Sequence, residues 1–314
     1  MNRSKSTLKQ KLLYLVNISI LIIFLLILTE VGLRFFKSPY SQLRDAISFT
    51  DDERIYVLKP NIVTKFTGLH SELKDTVIWR INSQGIRDNE MINPKSPNKY
   101  RIATYGNSET FGWSVNLENT FQKQLEHLNN SIECINLGVP GYNIVQVAAH
   151  LEATEKLIDP DLIIYLINPN DFDPPLHFNE IISNFELFRR ILYVYEMYQV
   201  TRNEHGRHNP NTIYHFITGL LRIKRYCEIH KVPLVIGLIN RDDSKILNRN
   251  KEISEYFFNP NINSIRTIDL SQVFNDYQKI DYHLCRVGHS RIAQILYEQL
   301  VKIDILNRLT TSSS

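Results

Sequence analysis

The stretch Arg101-Ile102-Ala103-Thr104-Tyr105-Gly106-Asn107-Ser108-Glu109-Thr110-Phe111-Gly112 decides the fold. A short apolar strand is ended by Gly106, and a polar turn carrying a hydroxyl follows at once. Downstream the pattern repeats. Thr120–Leu128 has helical spacing, and Ile132–Leu137 is a second strand ended by Gly138. Ile144, Val147, Ala148, Leu151 and Ile158 then share a helical face, with Asn143 as N-cap and Pro160 as the stop. Leu162–Ile167 and Pro233–Ile239 are apolar runs suited to strands buried on both faces, and Ile265–Leu270 is a weaker one. Ile292, Ile295, Leu296, Leu300 and Ile303 mark a closing helix. Strands alternating with helices in this way predict an α/β domain, a parallel sheet with helices on both sides.

Upstream the pattern is weaker. Residues 38–97 mix polar and apolar types without a strong period, apart from a strand candidate at Val77–Ile81 and a turn at Ser83-Gln84-Gly85. Between Asp173 and Val232 two helices are expected. Phe185, Phe188, Leu192 and Tyr195 recur there at helical spacing and are read as a core-facing stripe in preference to a substrate lid.

The N-terminus is of another kind. Leu12–Thr29 is a run of 18 uncharged residues, about 27 Å as a helix, close to the thickness of a bilayer's hydrocarbon core. Arg3, Lys5, Lys9 and Lys11 precede it and favour a cytoplasmic N-terminus, with the rest of the chain exported. No small-residue cleavage site follows, so an uncleaved single-pass anchor is expected, with Glu30 and Arg34 paired at i,i+4 on the outer side.

Composition narrows the function classes. The 314 residues are 43% apolar and 22% charged, which excludes a disordered chain and a multi-span membrane protein. The net charge of +3 is an average of unlike parts: residues 1–44 carry +6, and the remaining 270 carry 29 basic and 32 acidic groups. An acidic bulk gives no support to a nucleic-acid partner. Three cysteines without a CxxC pair argue against a disulfide scaffold or a zinc site, and His205-Gly206-Arg207-His208 reads as a solvated loop. With no GxGxxG and no P-loop lysine, no cofactor or metal is expected.

In a doubly wound sheet, ligands gather beyond the carboxyl ends of the strands. Those ends hold Gly106–Gly112, Asn136–Tyr142 and Asn168-Pro169-Asn170-Asp171, with Asp281-Tyr282-His283 and Gly288-His289 before and at the last helix. Singly, each is ordinary turn or cap chemistry. Together they supply a hydroxyl nucleophile, a base, an orienter for the base and oxyanion donors, the requirements of acyl transfer.

From about Tyr100 to Ile303 the chain resembles the SGNH branch of the GDSL lipases and acyl esterases, whose blocks carry Ser, Gly, Asn and His in this order. Gly106–Gly112 matches the Gly-Asp-Ser-x-Thr-x-Gly block with Asn107 for Asp; Asn136–Gly141, Asn170-Asp171 and Asp281-x-His283 match the others. The resemblance implies a three-layer α/β/α, flavodoxin-like hydrolase fold behind the transmembrane helix. It implies Ser108 as nucleophile, His283 as general base and Asp281 as its orienter, with an oxyanion hole from the N–H groups of Ser108 and Gly141 and the Asn170 amide. Asn107 keeps the shape of the usual Asp but drops its charge, Cys285 is expected to pack, and His289, the rival base, is expected to be structural.

The expected organisation is a cytoplasmic N-terminus and anchor at 1–36, a juxtamembrane segment at 37–97 packed on the main domain, the hydrolase domain at 98–305 and a disordered tail at 306–314. The expected activity is a serine ester hydrolase at the inner membrane, facing the periplasm or exterior, acting on a small-molecule or glycan ester. Two alternatives stay open: O-acyl transfer to an envelope polysaccharide, and a degenerate domain that binds glycan without turnover.

Overall fold

The computed structural model describes residues 3–35, 39–66, 76–91, 94–172, 184–191, 210–239, 265–273, 276 and 283–302. The chain divides into two compact units: Met1–Arg44 with Phe178–Thr201, and Asp45–His177 with Arg202–Ser314.

The larger unit is built on a five-stranded parallel sheet. Its strands are β5 (Tyr100–Gly106), β6 (Ile132–Gly138), β7 (Leu162–Ile167), β8 (Leu234–Leu238) and β9 (Arg266–Asp269), in the spatial order β6-β5-β7-β8-β9. The chain steps from β5 to β6 on one side, then returns past β5 to β7. Right-handed crossovers therefore send the two connecting helices, α4 (Phe121–Leu128) and α5 (Ile144–Ile158), to opposite faces. This is the flavodoxin-like order, and its topological switch point lies between β5 and β7.

Both faces are filled as the apolar runs require. Every residue of β7 is buried. On one face Ile102, Ile164, Leu166 and Val235 pack with Phe121 and Leu125 of α4 and with Ile292, Leu296 and Leu300 of α8 (Arg286–Lys302). On the other, the Tyr105 hydroxyl meets Thr154 of α5 at 3.0 Å, and α5 packs against α7 (Pro210–His230). The Asn143 cap of α5 is a complete capping box: its side chain accepts from the N–H groups of Val145 and Gln146, and Gln146 reaches back to the Asn143 N–H.

Residues 45–91 belong to this same unit. Strands β1 (Ile47–Phe49) and β2 (Tyr56–Leu58) form one antiparallel ladder, β3 (Ile62–Phe66) and β4 (Val77–Ile81) another. Only β4 is legible in the sequence. The ladders are held to the sheet unit by hydrogen bonds to its loops: the Tyr56 hydroxyl donates to Pro140 O at 2.8 Å, Tyr142 OH donates to Tyr56 O, and Gln146 Nε2 donates to Arg54 O at 2.8 Å.

The smaller unit contains α1 (Arg3–Arg34), the one helix among the described residues long and apolar enough to cross a membrane. Arg34 Nε donates to Glu30 Oε1 at 2.9 Å, the pairing expected from the sequence. Residues 186–191 form a short helix, α6. Phe185 and Phe188 correct the expected core-facing stripe: each is 46% exposed, and the buried positions beside them are Glu186 and Arg189. Polar residues turn inward here because Glu186 has partners, accepting from Ser41 Oγ at 2.6 Å and from Arg189 Nη1 at 3.3 Å. Leu192 and Tyr195 lie outside the described residues.

Candidate active site

Ser108 opens α3 (Ser108–Phe111), a one-turn helix whose four residues are all buried. Such a helix has little intrinsic stability, because nucleation is unfavourable and its orphan backbone groups need partners. The surroundings provide them. Asn107 caps the start, its Oδ1 accepting the Glu109 N–H at 3.2 Å. Gln122 Nε2 donates to Thr110 O at 2.9 Å, and Asn136 Nδ2 donates to Phe111 O at 3.1 Å. Arg87, fully buried, donates from Nη1 to the carbonyls of Phe111 and Gly112 and from Nη2 to Val115 O, each at 2.6 Å. Its guanidinium also lies 4.6 Å above the Phe111 ring, and burial pushes its pKa down to about 9.

Two glycines permit this packing. Gly112 ends the turn in the left-handed conformation at φ 80°. Gly138, the register partner of Gly106 at the end of β6, lies against α3 so closely that a Cβ there would collide with the Phe111 backbone.

Ser108 and His283, 175 positions apart, are brought together: Ser108 Oγ and His283 Nε2 are 2.8 Å apart. The imidazole stacks on Trp113, with ring centroids 5.4 Å apart and planes at 23°. Trp113 is held in turn by Trp79 of β4, whose Nε1 donates to Trp113 O at 3.1 Å. A second tie joins the segments that carry hydroxyl and imidazole. Glu109, 1% exposed, accepts the Leu284 N–H on its Oε2 at 3.1 Å.

Gly141 lies in the turn after β6, at φ 81° with Tyr142 N–H donating to Val139 O at 3.2 Å. Asn170 lies in the 3₁₀ turn Pro169–Phe172 after β7; its side chain is outside the described residues, and so is the whole of Asp281. The β5 and β7 loops are joined through Asn168, directly after β7: its Nδ2 donates to Asn107 Oδ1 at 2.6 Å. Asn107 Oδ1 thus accepts two donors, which fixes its amide orientation and leaves Nδ2 buried without a partner among the described residues.

His289 lies against Phe121. It is 1% exposed, stacks on Phe121 and accepts the Phe121 N–H on Nδ1 at 3.3 Å, and burial holds its pKa down to about 3. Buried against Phe121, the ring has the packing place expected of it. Cys134 and Cys227 are buried and Cys285 is partly exposed; all three are free thiols. Among the described residues, no group of three or more His, Cys, Asp or Glu side chains could hold a metal ion. His205 and His208 lie outside them.

Arg87 and Trp113 are the site residues that sequence reasoning missed, while Glu109 and Asn168 stand in the strand-end segments it singled out but carried no role there. Glu109 had a visible signal, a carboxylate directly after the candidate nucleophile; a buried arginine 21 positions upstream of Ser108 had none.

No protein-family model matches the chain, and no curated protein sequence does. Many of the solved structures that align with it are lipolytic proteins and acylhydrolases of the GDSL type. One is a member of the lipolytic G-D-S-L family from Veillonella parvula, at 16% identity and TM-score 0.40, covering 63% of this chain and 96% of that one. A psychrotrophic esterase from a Pseudoalteromonas species is 12% identical, with TM-score 0.44 and coverage of 65% and 98%. A family 3 carbohydrate esterase from Clostridium thermocellum is 17% identical, with TM-score 0.44 and coverage of 67% and 98%. Likeness at this level carries no weight for activity; the parallel sheet and its switch point are seen directly in this chain.

Proposed function

We propose that this chain is an SGNH-type serine ester hydrolase, held at the inner membrane by α1, with its sheet unit on the periplasmic or exterior side. The 2.8 Å approach of Ser108 Oγ to His283 Nε2 at the switch point of the sheet is the observation that carries this reading.

Ser108 Oγ attacks the ester carbonyl as His283 Nε2 takes its proton. The carbonyl π electrons move onto oxygen, and the oxyanion is met by the N–H groups of Ser108 and Gly141 and by the Asn170 amide. Collapse breaks the bond to the alkoxy group, which leaves with the proton from His283. An acyl-serine remains. Water, deprotonated by the same imidazole, then releases the acid and restores Ser108. Asp281 orients the imidazole and balances its positive charge. The four cations before the apolar run of α1, together with the acidic remainder of the chain, support the proposed orientation.

Hydrolysis of an activated acetyl ester by the full chain in detergent tests the reading. The parent turns over, and Ser108→Ala and His283→Ala each lose at least about 10³-fold in kcat. Parent-like turnover by Ser108→Ala overturns the assignment.

A further inference from the structure

The smaller unit has a helix turned inside out for a protein surrounded by water. In α6 the inward positions are Glu186 and Arg189, 2% and 9% exposed, whereas Phe188 and Ile191, and Phe185 just before the helix, stand 46%, 52% and 46% exposed. A spacing of three residues gathers those three on one side. The Phe185 and Phe188 rings touch edge to face at 6.2 Å, so the patch is continuous.

The position of this face is fixed by the end of α1. Glu30 accepts the Glu186 and Leu187 N–H groups on its two carboxylate oxygens, at 2.9 and 3.0 Å. These are first-turn donors of α6, so Glu30 caps that helix from another part of the chain. Arg34 donates to Asn184 O at 3.5 Å, Arg44 to Asn184 Oδ1 at 3.4 Å, and Ser41 to Glu186 Oε1 at 2.6 Å. Glu30 and Arg34 are the first charges after the apolar run of α1, so they stand where that run reaches the membrane surface. Phe35, 80% exposed, follows directly. The start of α6, with Phe185 just before it, is therefore held beside the last turn of α1.

We propose that Phe185, Phe188 and Ile191 seat in the lipid–water interface of the bilayer that α1 crosses, making α6 a second, non-spanning membrane contact. Partly buried apolar side chains on one face, with charged groups turned away from lipid, are what an interfacial helix needs. The proposal rests on α1 being a membrane span. It gives Glu30 a purpose beyond the pair with Arg34: its carboxylate ties the interfacial helix to the anchor.

Tryptophan quenching in vesicles tests it. The full chain is reconstituted in phosphatidylcholine vesicles with and without acyl-chain-brominated phosphatidylcholine. The native Trp79 and Trp113 are 0% and 8% exposed and serve as the baseline. Phe188→Trp and Phe185→Trp each add one fluorophore at modest change in shape, and Leu21→Trp reports on α1 itself. The expected result is that the brominated lipid removes most of the added emission in all three variants, while aqueous iodide leaves it. If Trp emission is quenched by lipid in Leu21→Trp but only by iodide in both phenylalanine variants, the anchor stands and the proposal is overturned. If Leu21→Trp is itself quenched only by iodide, the anchor reading fails and takes the proposal with it.

Discussion

Glu109 shows how much a single side chain can decide. Its buried carboxylate accepts the Leu284 N–H, so the segment bearing His283 is tied to the helix bearing Ser108 by a bond separate from the Ser–His contact. Truncation frees that N–H and lets the imidazole drift. A misplacement of about 1 Å can cost about 10²-fold. Glu109→Ala is therefore expected to lower kcat by about 10–10² with little change in KM, because geometry and not binding is lost. Glu109→Gln keeps an acceptor oxygen and should recover most of the rate. Steady-state kinetics on one activated ester separates the cases, and equal loss in both variants would mean that the hydrogen bond to Leu284 is not what matters. Asn107 is the other residue of interest. Its Oδ1 alone meets both the α3 cap and Asn168, so Asn107→Ala removes two hydrogen bonds and should cost about 1–2 kcal/mol in urea unfolding.

At the scale of elements, what the sequence revealed follows from the range of the forces involved. Strands β5, β6 and β7 and the start of α5 were legible because local signals agree: an apolar run, a glycine stop, an Asn cap. The pairing of Ser108 with His283 was expected from the resemblance to the SGNH family, with parallel strands delivering their ends to one edge as the physical support. What stayed hidden is held by partners remote in sequence. Strands β1, β2 and β3 give no clean signal, and Arg87 looks like any surface arginine until the carbonyls of Phe111, Gly112 and Val115 surround it. That role carries a prediction. Arg87→Met leaves the carbonyls of Phe111, Gly112 and Val115 without these donors, and should destabilise the sheet unit by about 3 kcal/mol or more. Arg87→Lys should recover only part of this, because an ammonium lacks the planar fork that reaches three acceptors. Urea midpoints with unchanged slope would show the loss, and a parent-like midpoint for Arg87→Met would remove Arg87 as the prop of α3.

At the scale of the whole molecule, the charge and the buried histidines define its working conditions. His150 and His289 have pKa values lowered by burial from 6.5 to about 3. The unfolded chain takes up those two protons below pH 6.5, whereas the folded chain resists them until about pH 3. Folding stability should thus fall as the pH drops through that window, by up to about 1.4 kcal/mol per pH unit for each histidine. His289→Gln, which keeps a hydrogen-bonding atom without a titrating one, should flatten this dependence in urea unfolding between pH 6.5 and 4, and an unchanged slope would count against a neutral buried His289. The net +3 charge splits into a +6 end and an acidic remainder, the asymmetry on which the proposed orientation in a membrane draws. The central claim concerns one oxygen atom. When the full chain is incubated with a fluorophosphonate and the adduct is mapped by peptide mass spectrometry, a single phosphonylated site is expected at Ser108, formed much more slowly in His283→Ala. An adduct on another residue, or equal labelling of Ser108→Ala, would contradict it.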